Sequence, residues 1–140
     1  MSEATVAAAP TRVAFITGAS RGIGKAIALR LAKDGRHVVL AARSAGPLND
    51  LKAQIEASGG KASVKAFDVA DIGAFAKAID ETVAECGRLD ILVNNAGITR
   101  DNLVLRMTDE EWLEVIQTNL TSAFAAIRAA ARPMMKAIGR

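Results

Sequence analysis

The sequence predicts an α/β fold built on a parallel sheet. Two observations carry that expectation. Short apolar runs alternate with stretches of helical periodicity along the chain, and the first run empties directly into a loop holding Gly18, Gly22 and Gly24. Composition agrees, because 140 residues of which 51% are hydrophobic suffice for the core of one domain.

Val13–Thr17 (VAFIT) is a continuous apolar run of strand length. Ile23, Ile27, Ala28 and Leu31 follow at helical spacing, and Gly35 supplies a stop. His37–Ala42 (HVVLAA) reads as a second buried strand. Leu48, Leu51 and Ile55 mark a second helix, stopped by Gly59 and Gly60, and residues 62–67 a third strand. Ile72, Phe75, Ala76, Ile79 and Val83 form a third helix ending at Gly87. Residues 89–93 (LDILV) are a fourth strand leading into Asn94-Asn95-Ala96-Gly97. After a loop, Thr108-Asp109-Glu110-Glu111 has the spacing of a capping box. The helical stretch beyond it carries Leu120, Phe124, Ile127, Ala131, Met134 and Ile138, a stripe expected to face the core. A second row of small residues, Ala123, Ala126 and Ala130, lets another helix approach closely, in this chain or in a second copy. Strict alternation with right-handed crossovers gives a Rossmann-type sheet, strand order 3-2-1-4, over residues 12–140. Residues 1–11 (MSEATVAAAPT) read as a disordered tail.

Several function classes are disfavoured. The 18 Lys and Arg stand against 15 Asp and Glu for a net charge of +3, without a block of like charge, and aromatics are 4%. Nucleic acid is therefore not an expected partner. The first residues lack a basic segment and an apolar core, so they do not resemble a signal peptide. No run approaches the ~18 apolar residues of a membrane span. The single cysteine, Cys86, excludes an internal disulfide and fits a reducing, cytoplasmic setting. It is expected to pack as a small hydrophobe, and His37 to sit at a strand edge rather than bind a ligand. One His and one Cys supply no evident zinc site.

The glycine loop is informative by its place. A strand feeding a glycine-rich turn and a helix N-terminus is an anion site, where amides approach a phosphate without an intervening Cβ. Gly22 or Gly24 can equally serve helix–strand packing. A Walker loop needs Gly where Ala19 stands and Ser or Thr where Ala26 stands, so it fails twice. The spacing G-x-x-x-G-x-G also departs from G-x-G-x-x-G. NAD binders commonly place an acid about 20 residues beyond the loop to take the ribose 2′-hydroxyl. Here Ala41-Ala42-Arg43-Ser44 offers none, and Arg43 suits a 2′-phosphate instead, with Arg21 as a second cation. NADP(H) is thus expected over NAD.

Thr17-Gly18-Ala19-Ser20-Arg21-Gly22-Ile23-Gly24, with Asn94-Asn95-Ala96-Gly97 after the fourth strand, resembles the short-chain dehydrogenase/reductase family. The resemblance runs from residue 13 to about residue 140. It implies that Gly18, Ser20, Arg21, Gly22, Ile23 and Gly24 bind the cofactor, and that Asn95, Ala96 and Gly97 lie on its nicotinamide side. Asp68-Val69 looks like the family's adenine-contacting pair. Asn119, in QTNLTSAF, matches the helix asparagine of an Asn-Ser-Tyr-Lys catalytic tetrad.

Within the family, NNAGITRDNLVLRMTDEEW is similar to bacterial 3-oxoacyl-acyl-carrier-protein reductases, and acetoacetyl-CoA reductases share part of it. That likeness implies hydride transfer from NADPH to a 3-oxoacyl thioester, in a homo-oligomer that is a tetramer in full-length members. There are two departures. Ala137 and Ile138 fill a gap before Gly139-Arg140 where those reductases often carry a basic residue, which weakens the expectation of carrier docking. The family also continues with a strand bearing the catalytic Ser and a Tyr-x-x-x-Lys helix, whereas this sequence has no tyrosine. A ketone that accepts hydride must also receive a proton, and a phenol of pKa about 10 does this only with a neighbouring Lys⁺. The expectation is the cofactor-binding half of such a reductase, inactive alone, with Asn119 lacking its partners. A non-catalytic nucleotide binder and an interaction fragment are the competing readings. In either case the fourth strand is expected at a sheet edge, where unpaired amides favour association.

Overall fold

Alternate residues of the two central strands feed two separate cores. In the computed structural model, which describes residues 9–140, Val13, Phe15, Val39 and Ala41 point to one face of the sheet, and Ala14, Ile16, Val38 and Leu40 to the other. Of the tail expected over residues 1–11, residues 1–8 lie outside the described residues. Strands buried on both faces read as unbroken apolar runs, which is why VAFIT and HVVLAA do not alternate. The strands are β1 (Val13–Thr17), β2 (His37–Ala42), β3 (Lys61–Ala66) and β4 (Ile91–Val93), all parallel, in the order β3-β2-β1-β4. Val13 pairs with His37 and Ala14 with Ile91 in the ladder register. The expected Rossmann-type order is therefore the observed one.

Helices α1 (Gly22–Lys33) and α2 (Ala45–Ala57) cover the Ile16 face, and α3 (Ile72–Cys86) covers the Phe15 face. Phe15, Phe67 and Phe75 form one aromatic cluster there, with ring centroids 5.1 to 6.4 Å apart. Two strands differ from their expected bounds. β3 runs one residue earlier, and β4 is only three residues long, because Leu89 is spent on the core and Asp90 on a clamp. Asp90 accepts the Val13 amide at 2.8 Å and holds Arg88 through two contacts of 2.6 and 2.8 Å, tying the approach to β4 onto the start of β1. Burial pushes the Asp90 carboxyl up, but Arg88 and the Val13 amide together outweigh it and hold the carboxyl below its usual range.

The C-terminal helical region departs most from expectation. The capping box forms as read, with Thr108 and Glu111 each accepting the other's amide, and opens α4 (Asp109–Ile116). A π-helical turn, Gln117–Thr121, then interrupts the helix before α5 (Ser122–Ala137). Most of the apolar stripe expected in the core faces outward: Leu120, Phe124, Ile127 and Ile138 are 63, 60, 56 and 80% exposed, and only Met134 of the six packs against the core. The alanine row faces inward instead. Ala126 and Ala130 are fully buried in the Phe15 core, and α5 lies against α3. The physical reason is proximity, because only methyl-sized side chains fit where two helix backbones come this close. Periodicity marks two apolar stripes here and cannot say which one the sheet will cover.

Cys86 and His37, distant in sequence, meet at the amino end of the sheet. Cys86 Sγ lies 3.9 Å from His37 Nδ1, and the other ring nitrogen reaches Ser63 Oγ at 2.8 Å. Burial, then Glu85, pushes the thiol up, while burial and Lys61 lower the imidazole. Both groups are therefore uncharged near neutrality, and the pairing yields no thiolate.

Ala130→Leu should cost about 1–3 kcal/mol by overpacking, whereas Phe124→Ser should stay within about 0.5 kcal/mol, both read by urea unfolding. Asp90→Asn should cost about 1–3 kcal/mol at neutral pH. Because the folded carboxyl titrates below its unfolded value, that increment is lost as pH falls below about 4, so stability curves of variant and parent should converge in acid.

Candidate functional site

The sheet order creates one crevice. β1 lies between β2 and β4, so the chain winds in opposite directions from its two sides, and the loops leaving β1 and β4 part at their carboxyl ends. The glycine loop leaves β1 and the segment 94–97 leaves β4. Thr17, the last residue of β1 and 1% exposed, joins them. Its hydroxyl accepts the amides of Asn95 and Ala96 at 3.0 and 2.9 Å and donates to the Val93 carbonyl at 3.3 Å. Asn95 returns the connection, its Nδ2 donating to the carbonyls of Thr17 and Gly18 at 3.2 and 3.3 Å. The Ala19 amide meanwhile donates to Ala41 at 3.2 Å and pins the loop to β2.

The three glycines have different tasks. A Cβ on Gly24 would stand 2.1 Å from the Gly18 carbonyl oxygen, so the first turn of α1 reaches the loop only because residue 24 has none. Gly18 (φ +63°) turns the chain and faces Asn95. Gly22 (φ +56°) has nothing within 4 Å of its missing Cβ and faces open space. Gly24 therefore serves packing, and Gly22 keeps the approach to the helix end clear.

That helix end is free. Arg21, at the N-cap of α1, makes no side-chain cap, and the first turn holds no acid. Asp71 caps α3 and Thr108 caps α4, while α2, behind Ser44, shares the open state of α1 but has no glycine loop before it. The orphan amides and dipole of α1 suit an anion, and a phosphate group fits between them and the open side of Gly22. Ser20 is half-buried beside the loop, and Ile23 is 72% exposed over it. Arg43 follows β2 and is exposed, as is Arg21. Among the described residues neither arginine is in an ion pair.

The remaining expected residues divide. Asp68 is exposed, and its carboxylate accepts the Ala70 amide at 3.0 Å. Val69 sends its side chain into the core, 7% exposed, leaving only its backbone for the crevice. Asn119 lies within the π-helical turn. Its side chain grips Ile98 twice, accepting the amide and donating to the carbonyl, both at 2.8 Å. Gly97 sits beneath that grip, its absent Cβ 3.3 Å from Asn119 Oδ1. The structure thus brings the β1 and β4 loops and Asn119 into one crevice. Sequence reasoning missed Thr17 as the joint. Its only signal is a hydroxyl closing an apolar strand.

The sequence pattern of the short chain dehydrogenase family matches residues 12–140. This chain belongs to that family. Among its relatives, the 3-oxoacyl-acyl-carrier-protein reductases of Vibrio harveyi and Escherichia coli K12 are each 46% identical over 125 residues, covering 89% of this chain and 50% of their own length. The Staphylococcus aureus Mu50 reductase of the same name is 45% identical over 129 residues. The chain spans about half the length of the curated relatives it matches. Among solved structures, a metagenomic short-chain oxidoreductase in complex with NADP superposes with a TM-score of 0.87 at 40% identity, over 90% of this chain and 57% of that one. A Sinorhizobium meliloti dehydrogenase/reductase gives 0.85 at 42% identity, over 88% of this chain and 49% of its own. In this chain the division of labour among glycines is testable. Gly24→Ala should cost about 3 kcal/mol or more through its backbone clash. Gly22→Ala should cost only about 1–2 kcal/mol of left-handed strain. Equal losses in thermal unfolding would contradict the distinction.

Proposed function

We propose that this chain is the NADP(H)-binding part of a reductase that moves hydride from NADPH to a 3-oxoacyl thioester. One observation carries the reading: an uncapped helix N-terminus behind a glycine left open to solvent, with the unpaired Arg21 and Arg43 both following the carboxyl ends of the central strands. Gly18, Ser20, Gly22, Ile23 and Gly24 cradle the pyrophosphate. Arg21 and Arg43 take the 2′-phosphate through charge-assisted bonds, which NAD cannot offer. Asp68 and the Val69 backbone border the adenine, and Asn95, Ala96 and Gly97 flank the nicotinamide, the group that supplies hydride when bound. Support for the thioester comes from the reductases named above and the shared segment NNAGITRDNLVLRMTDEEW. Asn119 holds the loop on which the carbonyl must be presented, and the protonating tyrosine is not among these 140 residues. By themselves they should therefore not turn over. We further propose a cytoplasmic homo-oligomer in which the exposed face of α5 is covered.

Titrating NADPH and NADH by calorimetry tests the reading. NADPH should bind more tightly, and Arg43→Ala should weaken it about tenfold while leaving NADH unchanged. Absence of binding by both nucleotides overturns the cofactor assignment, and preference for NADH overturns the role of Arg43. Turnover of an acetoacetyl thioester by the 140-residue chain would overturn its inactivity.

A further inference from the structure

The π-helical turn that carries Asn119 makes a second contact that the cofactor reading does not use. Gln117, half-buried at its start, donates from Nε2 to the Ala70 carbonyl at 2.9 Å. The Ala70 amide is the one held by Asp68 Oδ1 at 3.0 Å, and Asp71 N donates to the Asp68 carbonyl at 2.9 Å. Both polar groups of residue 70 are thus taken, one by the carboxylate of the same turn and one by a helix remote in sequence. Two residues later Asn119 fixes Ile98 in the loop after β4. One helical turn therefore holds the loops that follow β3 and β4.

The turn itself is anchored. Thr118, between the two amide side chains, is 8% exposed, and Ser122, 5% exposed, donates its hydroxyl to the Thr118 carbonyl. π-Helical turns are rare and cost helix regularity, and they recur at functional sites. Here the widened turn is locked by burial, so Gln117 and Asn119 cannot shift independently. Val69 anchors the middle of the turn in the core, but Asp68 does not fix its far end, because the Asp68 carboxylate is exposed and its bond to Ala70 is local. Among the described residues the Ala70 carbonyl is held only from Gln117.

We propose that Gln117 is a positioning residue for adenine: it holds the 68–70 turn against the π-helical turn, so that the Asp68 carboxylate and the Val69 backbone keep a fixed aim at the base. This rests on the cofactor reading above. Gln117 does not touch the nucleotide and acts through Ala70. Gln117→Met keeps the length and loses the donor, and Gln117→Glu keeps the shape and replaces the amide donor by a carboxylate.

The test compares NADPH with its hypoxanthine analogue, reduced nicotinamide hypoxanthine dinucleotide phosphate, which differs only at the base. The unaltered protein should favour NADPH, and each variant should cut that preference about fivefold, as expected for one lost hydrogen bond acting on one subsite. A merely structural role lowers both affinities together, so an unchanged preference overturns the proposal. Should either variant fail to fold, amide exchange on the unaltered protein decides. Adenosine 2′,5′-bisphosphate, which has no nicotinamide, should slow exchange at Ile98 through the shared turn, and unaltered exchange there overturns the proposal. If the unaltered protein binds neither dinucleotide, the cofactor reading falls and this proposal with it. If it binds NADPH but the variants keep their base preference, only this proposal falls.

Discussion

The site depends on one close approach, that of the first turn of α1 to the Gly18 carbonyl. A side chain at residue 24 would stand 2.1 Å from that oxygen, and Asn95 Nδ2 would be 2.6 Å away. The nearest of these atoms is backbone, so moving the Asn95 side chain would not make room. Because residue 24 is glycine, α1 aims its unsatisfied amides along the loop, and Asn95 reaches across to the carbonyls of Thr17 and Gly18. The β1 and β4 loops then behave as one body, with the Thr17 hydroxyl making three bonds at the seam. A site that must recognise a charged, extended ligand gains from such rigidity, since the donors need no reordering when it arrives.

Capping follows the same logic. A buried or unfunctional helix end is best closed by its own side chain, as Asp71 and Thr108 do for α3 and α4. Leaving α1 without a side-chain cap and without an acid in its first turn forgoes about 1 kcal/mol of local stability. What is kept in exchange is positive potential at the place where the chain has no side chain in the way. Arg21 occupies the N-cap, so the position that closes α3 and α4 here adds a cation to the helix end.

Most of the fold was legible because it rests on local signals. Continuous apolar runs, glycine stops and the Thr108–Glu111 spacing each act within a few residues, and their elements formed within a residue or two of expectation, β4 apart. Relations between distant segments were not legible. The Thr17 joint, the Gln117 bond to Ala70 and the approach of Cys86 to His37 depend on tertiary placement, and the residues bear no mark of it. Val69 shows the same gap in reverse. As half of a motif pair it was assigned to the cofactor, yet its side chain fills the core and only its backbone remains available.

The reversal of the last helix is the sharpest case. Both faces of α5 are apolar enough to be core, and hydrophobicity favours burying the larger one. Geometry decides otherwise: α3 approaches closely enough that alanines fill the gap, and Phe124, Ile127 and Leu120 are turned outward. Arg128 stacks over the Phe124 ring at 5.1 Å, which shields part of it. The remaining apolar surface lies on a regular helix rather than a loop, and it adjoins α4, where Leu113 is 60% exposed. Surface of this kind on a rigid element is costly to leave in water and straightforward to cover with another helix face. The π-helical turn sits between these two exposed stretches and also fixes Asn119 and Gln117. Any partner that covers α4 and α5 therefore rests on the same turn that holds the two loops of the crevice.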